Sequence, residues 1–456
     1  MRSILAIVVV LLFVNNLQSQ EFTINGSVPG TGDSKVYLMQ IVGEKQTIVD
    51  TAIINETGSF EFTVKKGFPI GMYQIVGGVK QRIEIIFNNE NIRFVASGSE
   101  NGDNVQIIES VENLIWYDYL YSKGLSQYKM DVIETVLTSY PESDDYYTVS
   151  EKKYKQVRDD FIEKTNDLSN NNPNTIASKF IKTDKPVFAP TELNQNQKQE
   201  YLIKHHFDNV DFNDTILLHS NLITSKIVSY FTLFQSAGMK KDEFEDKLII
   251  AVDTVLDKAL VNQDVYESVV GFLIKGFETI GFEKGLEHIA EQNQLDELCV
   301  NTERKEKLEN KLEIIKKLSI GKVAPDFSST DFTGNEITLS EIKSETTILL
   351  FWASWCPHCT DIIPVLKEYY NADSPEKLQV VAISVDQNEE DYRNSLKEHG
   401  LDWINIAELK GWNGAVVEQY GVAATPTIFI LDKDKKILAK PTNEASFRKE
   451  IDEIIK

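Results

Sequence analysis

Residues 346–370, TTILLFWASWCPHCTDIIPVLKEYY, restrict the possible folds of this chain more than any other stretch. The continuous apolar run up to Trp352 reads as a strand covered on both faces, as at the centre of a parallel sheet. It ends at two cysteines two residues apart, Cys356 and Cys359, and then takes helical spacing interrupted by Pro364. Further on, LQVVAISVD reads as a second buried strand and EEDYRNSLKEHG as a helix closed by Gly400. WNGAVVEQYG reads as a third helix, and PTIFILD with KKILAK as paired strands at an edge. Residues 319–456 are therefore expected to form an α/β domain.

The rest of the chain has two other rhythms. Residues 20–103 carry short β-branched and aromatic runs separated by Gly, Asn, Asp and Pro clusters, which predicts a β-sandwich-like domain. Its carboxylates are scattered and it has no histidine or cysteine, so a docking or spacer role is expected. Residues 104–318 have helical periodicity, for example Leu308, Leu312, Ile315 and Leu318 on one stripe. Breaks fall around Pro173 and around Pro186 and Pro190, giving a central α-helical domain. Adjacent His205 and His206 would point to different helix faces, which favours ordinary hydrogen-bonded histidines over a metal site. A chain of 456 residues is long enough for about three domains. Its net charge of −23 argues against nucleic acid or an anionic membrane surface as main partner.

The first residues read as an export signal. Arg2 precedes an apolar run from Ile4 to Val14, followed by polar NNLQSQ. The run falls short of the roughly 20 residues of a membrane span, so residues 1–19 are read as cleaved, with retention as an anchor the alternative. A protein without a stable span and located in the periplasm or cell envelope is expected. Export makes the cysteine count informative. Only Cys299 exists besides the close pair, so no stapling framework is available and the pair is kept for chemistry. Cys299 itself reads as a small, partly buried apolar residue.

Four chemistries suit a Cys-x-x-Cys pair. Structural zinc needs further ligands, usually a second close pair, and none exists. Covalent haem needs a histidine directly after the second cysteine, where Thr360 stands. A staple across two residues closes too small a loop to stabilise much. Dithiol–disulfide exchange remains, needing no metal or cofactor. Pro357 suits the first helical turn because its missing N–H would be unpaired there anyway. Cys356 would then face the positive helix end and attack a substrate disulfide, while Cys359, one turn in, resolves the mixed disulfide.

With GKVAPDFSSTDFTGNEITLSEI, LLFWASWCPHC, AISVD and YGVAATPTIFILD, the C-terminal domain resembles the TlpA/ResA-like thiol-disulfide oxidoreductases of thioredoxin fold. The three-part layout also resembles multidomain exported proteins common in Bacteroidetes. The resemblance implies a cis bond before Pro426, and Trp355, Thr425 and Pro426 as substrate contacts. It implies protein thiols and disulfides of the cell envelope as partners, together with a separate redox partner. Two departures stand out. Ile362 occupies the place of a glutamate carried by many relatives, and Leu350 that of thioredoxin's buried aspartate. Asp361 is a candidate substitute, set against a solvated aspartate at a helix start.

Pro357 and His358 tune the thiolate. Cys-Pro-His-Cys is the motif of the strongly oxidising DsbA-type proteins, whose thiolate pKa is about 3.5 against about 8.5 for free cysteine. A helix terminus contributes at most about 2 kcal/mol of the roughly 7 kcal/mol this represents. The dipeptide therefore points toward an oxidant while the body of the domain points toward a reductant, and reductase or isomerase is favoured over oxidase. Two alternatives remain open. One is a peroxiredoxin-like peroxidase, weakened by Ala353 three residues before Cys356 and by the lack of an upstream proline. The other is a cell-envelope binding protein with an accessory thioredoxin domain.

Overall fold

The computed structural model describes residues 21–29, 34–77, 82–96, 105–295, 303–372 and 374–455. Residues 1–19 and Cys299 lie outside them. The chain divides into two compact units, one ending at Ser229 and the other beginning at Tyr230. The helical segment is therefore shared between the units, a division that periodicity alone does not register.

In the first unit, eight strands form two four-stranded sheets. They are β1 (Glu21–Ser27), β2 (Lys35–Val42), β3 (Lys45–Ile53), β4 (Ser59–Lys65), β5 (Gly71–Val76), β6 (Ile83–Phe87), β7 (Ile92–Ala96) and β8 (Val105–Glu109). One sheet has the order β4-β1-β7-β8 and the other β3-β2-β5-β6. Alternate residues of β1 and β4 are buried, so the apolar faces of both sheets share one core containing Phe22, Phe60, Phe94, Tyr73 and Phe87. Gly26 belongs to it because a Cβ there would lie 2.2 Å from Cζ of Phe60. Strand pairing runs past residue 103, since β8 pairs antiparallel with β7. The short VQIIE run abuts a helix start, which masked its strand character.

Five helices follow: α1 (Val111–Ser139), α2 (Asp145–Asn171), α3 (Ile176–Asp184), α4 (Gln195–His205) and α5 (Leu222–Thr232), the last spanning the unit boundary. Ser110 caps α1 by accepting from the Asn113 N–H at 3.0 Å. Buried Glu112 accepts from the Ile176 and Ala177 N–H groups at 3.1 and 2.7 Å, placing a carboxylate on the positive end of α3. Both histidines are hydrogen-bonded, His205 to Asp208 at 2.7 Å and His206 to the Lys226 carbonyl at 2.9 Å.

The second unit joins helices α6 (Lys241–Ala259), α7 (Gln263–Ile280), α8 (Glu283–Gln292) and α9 (Glu303–Lys317) to the α/β domain. Lys440 meets Glu283 at 2.6 Å, and Leu318, just past α9, lies in the core around the central sheet. The domain contains β9 (Ser328–Thr330), β10 (Glu336–Thr338), β11 (Thr346–Trp352), α10 (Pro357–Ala372), β12 (Leu378–Ser384) and α11 (Glu389–His399). β13 (Ile404–Ala407), α12 (Ala415–Gln419), β14 (Thr427–Asp432), β15 (Ile437–Ala439) and α13 (Glu444–Ile454) complete it. The five-stranded sheet has the order β13-β12-β11-β14-β15, with β11 parallel to β12 and antiparallel to β14. Every residue of β11 and β12 is buried, as continuous apolar runs require when both faces are covered. α11 stops at Gly400, whose φ of 57° is the left-handed conformation glycine adopts without a Cβ penalty. Pro364 sits inside α10.

Candidate active site

Three strands bring the site together from distant parts of the sequence. β11 ends at Trp352, and its pairing with β12 goes one step further because the Val385 N–H donates to the Trp352 carbonyl at 2.9 Å. The chain then turns. The Cys356 N–H donates to the Ala353 carbonyl at 3.2 Å, and α10 begins at Pro357. The Cys359 and Thr360 N–H groups both donate to the Cys356 carbonyl, at 3.1 and 3.2 Å, so the second cysteine lies inside the first turn. From the other side, just before β14, the Thr425–Pro426 peptide is cis. The Thr425 carbonyl accepts from the Cys356 thiol at 3.4 Å.

The two cysteines are unequal. Both are free thiols, but Cys356 keeps 5% of its surface exposed and Cys359 keeps none. Burial pushes the Cys359 thiol up to about 12, and its hydrogen bond with Cys356 adds to the shift. Pro357 and His358 are exposed beside them. Trp355 is 59% exposed and meets Trp412 edge-on, with ring centroids 6.4 Å apart.

The two positions that lack the family carboxylates are apolar. Leu350 lies fully buried mid-strand in β11, and Ile362 is 4% exposed and packed in the core. Asp361 is exposed and lines a cleft of about 490 Å³ together with His358, Ile362, Thr425, Pro426 and Glu444. The motif residues and Thr425-Pro426 thus meet around one sulfur and one cleft.

Three contributors escaped sequence reasoning. Trp412 and Glu444 come from segments whose proximity only the fold reveals. Asp386, two residues past the end of β12, is 1% exposed and receives hydrogen bonds from the turn that precedes Cys356. A signal for it was present. An aspartate directly after a buried strand stands at the C-terminal edge of the sheet, where open α/β sheets place their sites.

The chain is similar to known proteins, most of all in its C-terminal domain. The AhpC/TSA family matches residues 320–440. Residues 22–116 match a domain of unknown function, DUF4369, and residues 150–276 match another, DUF5106. Thiol-disulfide oxidoreductase ResA of Bacillus thuringiensis subsp. konkukian is 31% identical over 140 residues, covering 31% of this chain and 79% of the relative. ResA of Bacillus subtilis is 27% identical, covering 26% of this chain and 66% of the relative. The thioredoxin domain of a thiol-disulfide oxidoreductase from Bacteroides vulgatus superposes with a TM-score of 0.29 at 27% identity, over 30% of this chain and 99% of that one. Through its C-terminal thioredoxin-fold domain, the chain belongs to the thiol-disulfide oxidoreductases related to ResA.

Proposed function

We propose that this protein is exported to the periplasm or cell envelope and exchanges disulfides with protein clients through its Cys-Pro-His-Cys site. The observation that carries the reading is the stacking of the pair. Cys356 lies at the surface edge beside the Thr425 carbonyl, with Cys359 sealed beneath it. The Cys356 thiolate attacks a client disulfide, forming the mixed disulfide and releasing one client thiolate. Cys359 then loses its proton and attacks the Cys356 sulfur, releasing the second client thiolate and leaving an intramolecular disulfide. The client gains two electrons, and a separate dithiol partner must return them to the site. Trp355, Thr425 and Pro426 surround the entering disulfide as client contacts, and Pro357 and His358 tune the attacking thiolate. No helix among the described residues is long and apolar enough to cross a membrane.

The environment of Cys359 favours reductase or isomerase action over oxidation. A thiol held near 12 ionises rarely at neutral pH, and apolar Ile362 offers no carboxylate to take its proton. Oxidation of a client must expel Cys359 as the leaving thiolate, and a thiol of such high pKa leaves slowly. In the other direction resolution is the slow step, and the mixed disulfide lives long enough for a second client thiol to rearrange it. Isomerisation of that kind consumes no external electrons. The test is Cys359→Ser in cells. We expect mixed disulfides between Cys356 and client proteins to accumulate. Recovering none, while Cys356 alkylates freely, would overturn the reading.

A further inference from the structure

We propose that Asp386 is a positioning residue for the Cys356 sulfur, acting through Ser354; the inference deepens the exchange reading and rests on it. The sulfur lies between two flanking supports. One is the Thr425 carbonyl, which receives the thiol itself. The other must fix the turn from Ala353 to Cys356, which lies beyond the last residue pair of the β11–β12 ladder. Asp386 does this. Its Oδ2 accepts the Ser354 N–H at 3.0 Å, and its Oδ1 accepts the Ser354 hydroxyl at 2.6 Å. The Ser384 hydroxyl donates to Oδ2 at 2.6 Å, and the Asp386 N–H donates back to Ser384 Oγ at 2.9 Å. The carboxylate therefore grips both polar groups of Ser354 and is itself locked to the end of β12.

Physical chemistry makes this grip strong. The carboxylate is almost wholly buried, and hydrogen bonds to an ionised acceptor are shorter and about twice as strong as neutral ones. A buried carboxylate stripped of its donors is costly, so the Ser354 contacts are held tightly rather than sampled. Ser354 is two residues from Cys356, and the intervening turn is closed by the Cys356 N–H on Ala353. Little slack remains between the grip and the sulfur. Placement matters because attack on a disulfide needs the reacting atoms aligned, and misplacement by about 1 Å can cost on the order of a hundredfold in rate.

The experiment is done on the full chain in a Cys359→Ser background, so that Cys356 is the thiol followed. Two rates are measured: alkylation by iodoacetamide, which needs only an accessible thiolate, and attack on a small aromatic disulfide, which needs alignment. Both are read on the high-pH plateau, where the thiol is fully ionised. For Ser354→Ala and Asp386→Asn we expect disulfide attack to fall about tenfold with alkylation changed less than twofold. Ser354→Thr keeps the hydroxyl and should restore the wild-type rate. Hydrogen exchange at the Ser354 amide should quicken in Asp386→Asn. If Asp386→Asn does not fold, Ser354→Ala and Ser354→Thr decide alone. Equal disulfide rates in Ser354→Ala, Ser354→Thr and wild type would overturn the positioning role, whatever happens to the melting temperature. Failure of the exchange reading looks different, because wild-type Cys356 would then attack neither the aromatic disulfide nor any protein disulfide.

Discussion

The sandwich of the first unit and the mixed sheet of the second bury their strands in different ways. In β1 and β4 every other residue is buried, so one face of each strand meets water. In β11 and β12 every residue is buried and neither face is open. A sheet closed on both faces can present reactive groups only where its strands stop. Cys356, Asp386 and Thr425 sit at such stops: past the end of β11, past the end of β12, and before the start of β14. The sandwich fills its interior with aromatic rings and offers no thiol. The difference accounts for where the candidate site lies: at strand ends of the sheet that is covered on both faces.

The sharpest way to break this contrast is pH. The mixed sheet seals Cys359 off from water, and burial, which does not depend on Cys356 being a thiol, is the leading cause of its raised pKa. The thiolate fraction of such a group climbs roughly tenfold per pH unit below its pKa. Release of client from a preformed mixed disulfide should therefore quicken on the order of a thousandfold between about pH 7 and 10. Stopped-flow release of a fluorescent peptide from Cys356 would measure it, and a flat profile would mean that another group takes the proton. Ile362→Glu should flatten the profile by placing a base one turn along the helix.

A smaller effect probes the sandwich. Gly26→Ala drives a methyl into the Phe60 ring, which already packs edge-on against Phe62 and Phe94. Overpacking of this kind costs about 1–3 kcal/mol. We expect a lower melting transition for the first unit and an unchanged rate of Cys356 alkylation; a slower rate would tie the sandwich to the thiol. Least of all should be Asn443→Ala. Asn443 caps α13 with a capping box beside the cleft, its Oδ1 accepting the Ser446 N–H at 2.9 Å. Its loss costs about 1 kcal/mol of stability, measurable by denaturant titration, with disulfide exchange reduced less than twofold.

Much of the site was legible because the information is local. Two cysteines on one helical turn, Pro357 at the first helical position and a buried strand in front can be read from adjacent residues. Thr425-Pro426 was legible through family resemblance, although 69 residues separate it from the sulfur it faces. Asp386 was legible as an aspartate at the sheet edge but not as a partner of the cysteine turn. Its partner Ser354 is 32 residues away, and only the parallel register that sets Trp352 against Ser384 brings them together. Trp412 against Trp355, and the cleft wall at Glu444, depend in the same way on tertiary placement. The helical segment shows a similar limit. Periodicity marks residues 104–318 as helical but carries no mark of where packing changes allegiance, between Ser229 and Tyr230.

Pro364 has a consequence of its own. Without an N–H it cannot serve the carbonyl of Thr360, so α10 lacks one rung between the turn that bears the cysteines and the turns that anchor the helix in the core. The first turn keeps its backbone bonds to the Cys356 carbonyl and adds the Thr360 hydroxyl on the Pro357 carbonyl at 2.6 Å. The missing rung leaves that end of α10 with one backbone bond fewer than an unbroken helix would have.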